Sequence, residues 1–326
     1  MTKQTKSILG LGALVVVLFL FSLMAGKILL PLDVWFGGGS NLQAAIFLEL
    51  RLPRSLLGLA VGAALGLSGA ALQGFTRNPL ADPGVLGVSS MAALGAVLTL
   101  YSGIAALAPW LLIAAAIFGA ALGVILLLAL SGATGGIVTF LLAGVILNAL
   151  SGAAVSLALN LAPSPWAAQE IITWLLGSLS DRSMIELETA LPFILGGTLV
   201  LLSLGRMLDA LTLGEAGARS LGIDLKRGQA LLAFGVGLTA GASVAVTGVI
   251  GFVGLIVPHL MRWLVGHRPS QLLLPSALAG AAFVLAADSA VRLIPSAVEL
   301  RLGVVMSVIG APFFLFLLLS RRRTLA

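Results

Sequence analysis

The stretch RLPRSLLGLAVGAALGLSGAALQGFTRNPLADPGVLGVSS, Arg51 to Ser90, joins a glycine-rich apolar run to a loop that carries an Arg, an Asp and two prolines. The run is about 20 residues long, enough at ~1.5 Å per residue to cross ~30 Å of hydrocarbon. Its apolar residues are continuous and do not alternate. Lipid offers no water to backbone groups, so the run reads as a helix and not as a barrel strand. Gly58, Gly62, Gly66 and Gly69 stand at small-xxx-small spacing, which predicts close helix packing. Asn78-Pro79 and Asp82-Pro83 disfavour helical geometry before each proline, so the helix breaks there. Gly84 and Gly87 permit the turn into the next span.

The rest of the chain repeats this pattern. Over 326 residues it is 60% hydrophobic and 9% charged, with a mean hydropathy of +1.16. These values place it in a bilayer as an all-α polytopic protein, one transmembrane domain over residues 1–326. Ten spans are expected, near 8–28, 52–74, 86–103, 109–131, 138–161, 188–206, 229–248, 250–265, 272–293 and 302–320. Lys3 and Lys6 before an apolar run imitate a signal peptide, but the run exceeds a usual signal core and reads as an uncleaved span. The segment near 166–180 reads as a short amphipathic surface helix between spans five and six.

Ten spans put both termini on one side. The other side holds Lys27, Arg51, Arg54, Arg182, Arg292 and Arg301, and the terminus side holds the remaining twelve of the 18 basic residues. The positive-inside rule then makes both termini cytoplasmic, with Arg321 to Arg323 as a surface anchor and no role in nucleic-acid binding.

Several chemistries are missing. No cysteine occurs, which excludes disulfides and thiolate sites, and two histidines make a protein metal site unexpected. There is no P-loop, so the chain binds no ATP through that motif. GLSG, Gly66 to Gly69, matches the G-x-S-G of intramembrane serine proteases, with Ser68 as nucleophile and His259 as base. The plain alternative is that Ser68 is a packing residue. A passive channel is a third reading.

At 100° per residue, Gly144, Asn148, Ser151, Gly152, Val155, Ser156 and Asn160 fall on one half of span five, and Leu147, Leu150, Ala154, Leu157 and Leu161 on the other. Such a polar stripe should face protein or water. The wet segment near 209–228 reads as a linker or as two short helices.

The motifs quoted above, with LLAGV, GEAGARSLGI, GFVGLIVPHLMR and ELRLGVVMSVIGAPFFLFLLL, make the chain resemble the FecCD family from Arg51 to about Leu319. These are permease subunits of bacterial ATP-driven importers for iron–siderophores, haem and cobalamin. The resemblance implies the type II importer architecture and a homodimer in the bacterial inner membrane. It further implies two ATP-binding cassette subunits carrying ATP and magnesium, an outer-face binding protein, a metal-chelate substrate, and no cofactor on this chain. Ferric siderophore or haem is the leading substrate, with cobalamin as the alternative. Carried over residue by residue, the inner gate would involve Asn78, Leu80, Ile137 and Val138, and the path Asn148, Ser151, Gly152, Val155, Ser156 and Asn160. Glu215, Ala216, Arg219 and Gly222 would meet the ATPase, although Glu215 and Gly222 are spaced one residue wider than in the general importer motif. Arg51, Arg54 and Arg292 would receive carboxylates of the binding protein, and the plainer reading of Arg54 is a buried pair with Glu49 or Asp288.

Overall fold

The computed structural model describes residues 3–28, 31, 33–34, 40–108, 110–132, 136–295 and 298–325; of Lys3, Leu318 and residues 320–325 only the backbone is described. Among them there is no strand. The main helices are α1 Lys3–Met24, α2 Asn41–Thr76, α3 Val88–Tyr101, α4 Trp110–Ser131 and α5 Ile137–Asn160. A surface helix α6 Pro165–Leu175 leads to α7 Met184–Ser203, then to the short α8 Gly205–Leu211 and α9 Gly214–Ser220. The chain closes with α10 Leu225–Thr247, α11 Val253–Val265, α12 Pro269–Leu293 and α13 Leu302–Leu325.

Seven of these helices are long and apolar enough to cross a membrane, and α3, α11 and α13 are shorter apolar helices. They match the ten expected spans in order, with shifted ends. The second begins at Asn41 and not near 52, because Ser40 and Gln43 form a capping box and the wide turn Ile46–Arg51 runs straight into the next helix. The eighth begins at Val253 and not at 250, because Gly248 (φ 71°) ends α10 and Phe252 holds a left-handed φ of 66°. The surface helix stops at Leu175, short of 180.

Within this bundle α2 and α10 are central and α1 peripheral: 83% of the apolar window of α2 is buried against 22% of that of α1. Apolar burial alone drives no association in lipid, so close backbone approach has to hold the centre. A Cβ at Gly62 would lie 2.4 Å from the Gly280 carbonyl oxygen, and one at Gly66 2.2 Å from that of Ser276, both on α12. One at Gly69 would lie 1.9 Å from the Gly254 oxygen on α11. The glycine ladder read from the sequence is therefore the seam along which α2 meets α11 and α12.

Loops of the two ends are tied across the fold. At the end away from the termini, Ser178 N donates to Thr247 O at 2.7 Å and Gly303 N donates to Gly177 O at 3.1 Å, which joins the loop after α6 to the end of α10 and the start of α13. At the terminus end, Asp209 of α8 accepts from Ser270 N, Ser270 Oγ and Arg268 and so caps α12.

Candidate functional site

At the terminus end the loop quoted first is built as its prolines require. Arg77 turns the chain out of α2 at a φ of 53°, and Asn78 Oδ1 accepts from Leu80 N at 3.0 Å, a side-chain turn that fixes Leu80. Asp82 Oδ1 accepts from Gly84 N at 2.9 Å and caps the 3-10 turn Pro83–Leu86; Gly87, at a φ of 74°, opens α3. Burial pushes the Asp82 carboxyl above the usual aspartate range, with the Gly84 N–H acting against it. From inside the bundle, Gln73 Nε2 donates to the carbonyls of Ala81, Gly254 and Leu255, while Gln73 Oε1 accepts from Arg262. Gln73 thus pins the loop to α11. Its place inside an apolar run was the one signal of this link in the sequence.

Helix α5 lies against that loop. A Cβ at Gly144 would meet the Val85 carbonyl oxygen at 2.5 Å, and Ser90 Oγ of α3 donates to Asn148 Oδ1. The packing stripe of α5 is Ile137, Phe140, Gly144, Leu147 and Ser151, which cuts across the polar half expected from the helical wheel. Ser151 is 1% exposed. It therefore faces its own subunit and does not line an open surface, because small size and not polarity decides which face can approach the loop. Asn148, Gly152, Ser156 and Asn160 are exposed, with Val155 half-buried. Val138, at the start of the same helix, is exposed, and Ile137 is buried.

The wet segment folds as two short helices, as its spacing permits. On α9 the Glu215 carboxylate accepts from the Ile137 backbone N–H at 3.4 Å and from Arg219 at 3.3 Å. Two groups of residues that are far apart in sequence, Glu215 with Arg219 and Ile137 with Gly136, thereby share a cavity of about 260 Å³. Gly135, in the segment GGIVTF, lies outside the described residues. Ala216 and Gly222 are exposed, and Gly222 holds a left-handed φ of 77° with open space around it.

At the opposite end the three arginines expected at a docking face turn inward. Arg51 Nη1 donates to the carbonyls of Leu23 (3.1 Å) and Met24 (2.8 Å), and its Nη2 donates to Ile28 O. Arg292 donates to the carbonyls of Ser22 (2.9 Å) and Ala25 (3.1 Å) and to Ser22 Oγ. Between them they satisfy the carbonyls that the last turn of α1 leaves open. Arg54 grips Asp288 through Nε and Nη2, with Nη2 to Oδ1 at 2.7 Å, and also pairs with Glu299. Its partners are thus Asp288 and Glu299 and not Glu49. Asp288 also pairs with Arg292 at 3.1 Å, and Glu299 accepts from Ser180 Oγ at 2.8 Å. Burial acts to raise the Glu299 carboxyl, but Arg54 and Ser180 outweigh it and hold it below the usual glutamate range. The surrounding cavity of about 590 Å³ is also lined by Arg182 and Arg301. Both stood among the six basic residues assigned to this side, but neither was singled out.

The hydrolytic reading fails on contacts. Ser68 is fully buried; its hydroxyl donates to Ala64 O at 2.7 Å and lies 2.6 Å from Thr239 Oγ1, with no histidine against it. His259 packs edge-on against Trp263 and Phe313. No cluster of three metal-ligating side chains occurs among the described residues.

Comparison with known proteins identifies the family and the fold. The FecCD transport family matches residues 14–320. The hemin transport system permease protein HmuU of Yersinia pestis is 37% identical, with 98% of this chain and 97% of that protein aligned. The cobalamin import system permease protein BtuC of Halobacterium salinarum is 42% identical over 83% of this chain and 73% of that protein. A solved chain described as an inward-facing conformation of a metal-chelate type ABC transporter superposes with a TM-score of 0.88 at 33% identity, covering 97% of this chain and 99% of that one. The protein belongs to the FecCD transport family and has the all-helical fold of an ABC transporter permease.

Proposed function

We propose that this chain is the membrane-spanning subunit of an ATP-driven importer for a metal chelate, a ferric siderophore or haem. The observation that carries this reading is the match of nearly the whole chain, in sequence and in fold, to permeases of that kind. The chain performs no bond chemistry. Two partner ATPases bind ATP with magnesium at the terminus end, and a binding protein delivers cargo to the other. Twelve of 18 basic residues on the terminus side support a bacterial inner-membrane location with both termini in the cytoplasm.

A second copy of the chain completes the path. The exposed polar residues Asn148, Ser156 and Asn160 of α5 are costly against lipid and, with Gly152 among them, suit a wet interface between two copies. Asn78, Leu80, Ile137 and Val138 close its inner end. Glu215, Ala216, Arg219 and Gly222 meet the ATPase. Cobalamin is the second reading, favoured by the 42% identity to a cobalamin permease.

The test is ATP-dependent uptake into proteoliposomes holding the permease, its ATPase and its binding protein, with haem, a ferric hydroxamate and cobalamin compared. Accumulation of one of them only with ATP and the ATPase is expected. Equal uptake without the ATPase would make the chain a channel.

A further inference from the structure

At the terminus end, where α2, α8 and α11 stop and α12 starts, the chain encloses a cavity of about 340 Å³. Its polar lining is Gln73, Arg77, Thr212, His259, Arg262 and His267, and no carboxylate is among the lining residues. The acids of the flanking turns are committed elsewhere: Asp209 accepts from Arg268 and Ser270, and Asp82 caps Gly84. Arg262 is held in place by Gln73 Oε1. Arg77 and His267 are exposed, each on the turn that follows its helix, and neither makes an ion pair among the described residues. The last carbonyls of α2 and α11 attract Arg77 and Arg262, which accounts for one cation at each helix end. That attraction does not account for an enclosed space between them without an acid.

A second observation says what fills it. Trp263 lines the cavity and is 72% exposed, so the cavity reaches the surface there. Leu260 and Leu264, on the same face of α11, are exposed as well. An exposed apolar face in a membrane chain suits lipid, and a Trp at its end suits the headgroup level. Basic pockets between helix ends take lipid headgroups, guanidiniums bind phosphate through two parallel hydrogen bonds, and the volume lies within the range of small-molecule sites. We infer that this cavity is a phosphate-binding site formed by Arg77, Arg262 and His267, and that the phosphate is the headgroup of an anionic phospholipid whose chains lie along Leu260, Trp263 and Leu264. The inference stands apart from the importer reading.

Thermal unfolding of the purified permease in neutral detergent tests the site. Phosphatidylglycerol is compared with phosphatidylcholine, and inorganic phosphate with sodium chloride at matched ionic strength. Phosphatidylglycerol should raise the wild-type midpoint above that in phosphatidylcholine. Arg77→Asn/His267→Asn should lose at least half of that gain; Asn tolerates the left-handed φ of 53° at position 77, and Arg262 is kept because Gln73 is bonded to it. Arg219→Gln, at the same end but outside the cavity, should keep the gain. A double variant that responds like wild type, or an Arg219→Gln variant that loses as much, overturns the proposal. Arg77→Lys/His267→Lys retains charge and should retain most of the gain; a loss equal to that of the Asn pair would show that folding and not charge is read, and overturns it too. An equal gain from inorganic phosphate would keep the phosphate site and remove the lipid. If the two lipids act alike on wild type and the Asn pair instead fails to co-purify with the ATPase, the cavity is a protein contact and the proposal fails.

Discussion

The Glu215 carboxylate, on the short helix α9, faces the backbone N–H of Ile137, the first residue of α5, at 3.4 Å. A carboxylate at a helix N-terminus contributes about 0.3 to 1 kcal/mol, so the contact ties α9 to α5 lightly enough to be remade as the two move. Glu215→Ala should therefore leave assembly with the ATPase intact and lower uptake per ATP hydrolysed severalfold, with Glu215→Gln in between. Uptake and ATPase activity measured in the same proteoliposomes check this, and an unchanged ratio in Glu215→Ala would remove the contact from coupling.

Leu80 owes its place to the Asn78 side chain, whose oxygen accepts from the Leu80 N–H. Leu80→Asp should put charge at the inner mouth and uncouple hydrolysis from transport, while Asn78→Ala, which frees the turn, should do so more weakly. Cargo-stimulated ATPase activity alongside uptake separates coupling from assembly. Wild-type uptake in Leu80→Asp would take the loop out of the gate.

Arg51 and Arg292 are caps first. Truncating Arg292 leaves Asp288 with Arg54 alone and opens the last carbonyls of α1, and each buried acceptor left without a donor costs about 1 to 3 kcal/mol. Arg292→Met should lower the unfolding midpoint by many degrees, whereas Arg182→Gln should barely move it. Equal midpoints for the two variants would contradict the reading of Arg292 as a cap of α1.

The helices and breaks were legible because lipid imposes a simple grammar: each apolar run of sufficient length is a helix, and Asn78-Pro79 or Gly248 ends one. The seam of α2 was legible too, since Gly62 and Gly66 leave room that a neighbouring backbone fills. Side-chain direction was not. An arginine at a helix end reads as rim or anchor from sequence alone, and whether Arg51 points to solvent or back onto α1 depends on where α1 stops. Ser151 misled for a related reason, because the wheel sorts residues by polarity and a tight contact sorts them by size. The pairing of Glu215 with Ile137 joins positions 78 residues apart, which no local pattern reports.

Gly66 is the sharpest test of the seam. A Cβ there would lie 2.2 Å from the Ser276 carbonyl oxygen, far inside contact distance, and the obstacle is backbone. Gly66→Ala should force α2 from α12 and destabilise the fold by about 1 to 3 kcal/mol, the usual cost of overpacking. Gly222→Ala instead meets open space but must hold a φ of 77°, a milder backbone strain of about 1 kcal/mol. Midpoints of the two variants should rank in that order, and the reverse would mean that the bundle yields at α2.

Asp209 makes the terminus end sensitive to acid. Burial acts to raise its carboxyl, but the Ser270 N–H, Arg268 and the Ser270 hydroxyl outweigh that and hold it below the usual aspartate range. A carboxyl depressed in the folded state gives stability that is present above its unfolded pKa of about 3.9 and lost as pH falls through the lower folded value. Most of Arg268 is in solvent, so salt should screen its share, and the bonds to Ser270 should persist. Asp209→Asn should therefore unfold at a lower temperature than wild type at pH 7, and the gap should narrow as pH falls below the unfolded pKa of about 3.9, where the unfolded chain and then the folded one take up the proton. High salt should narrow the gap at pH 7 without closing it. A gap that stays constant from pH 7 to pH 3 would show that Asp209 caps α12 by shape alone and that its charge contributes nothing.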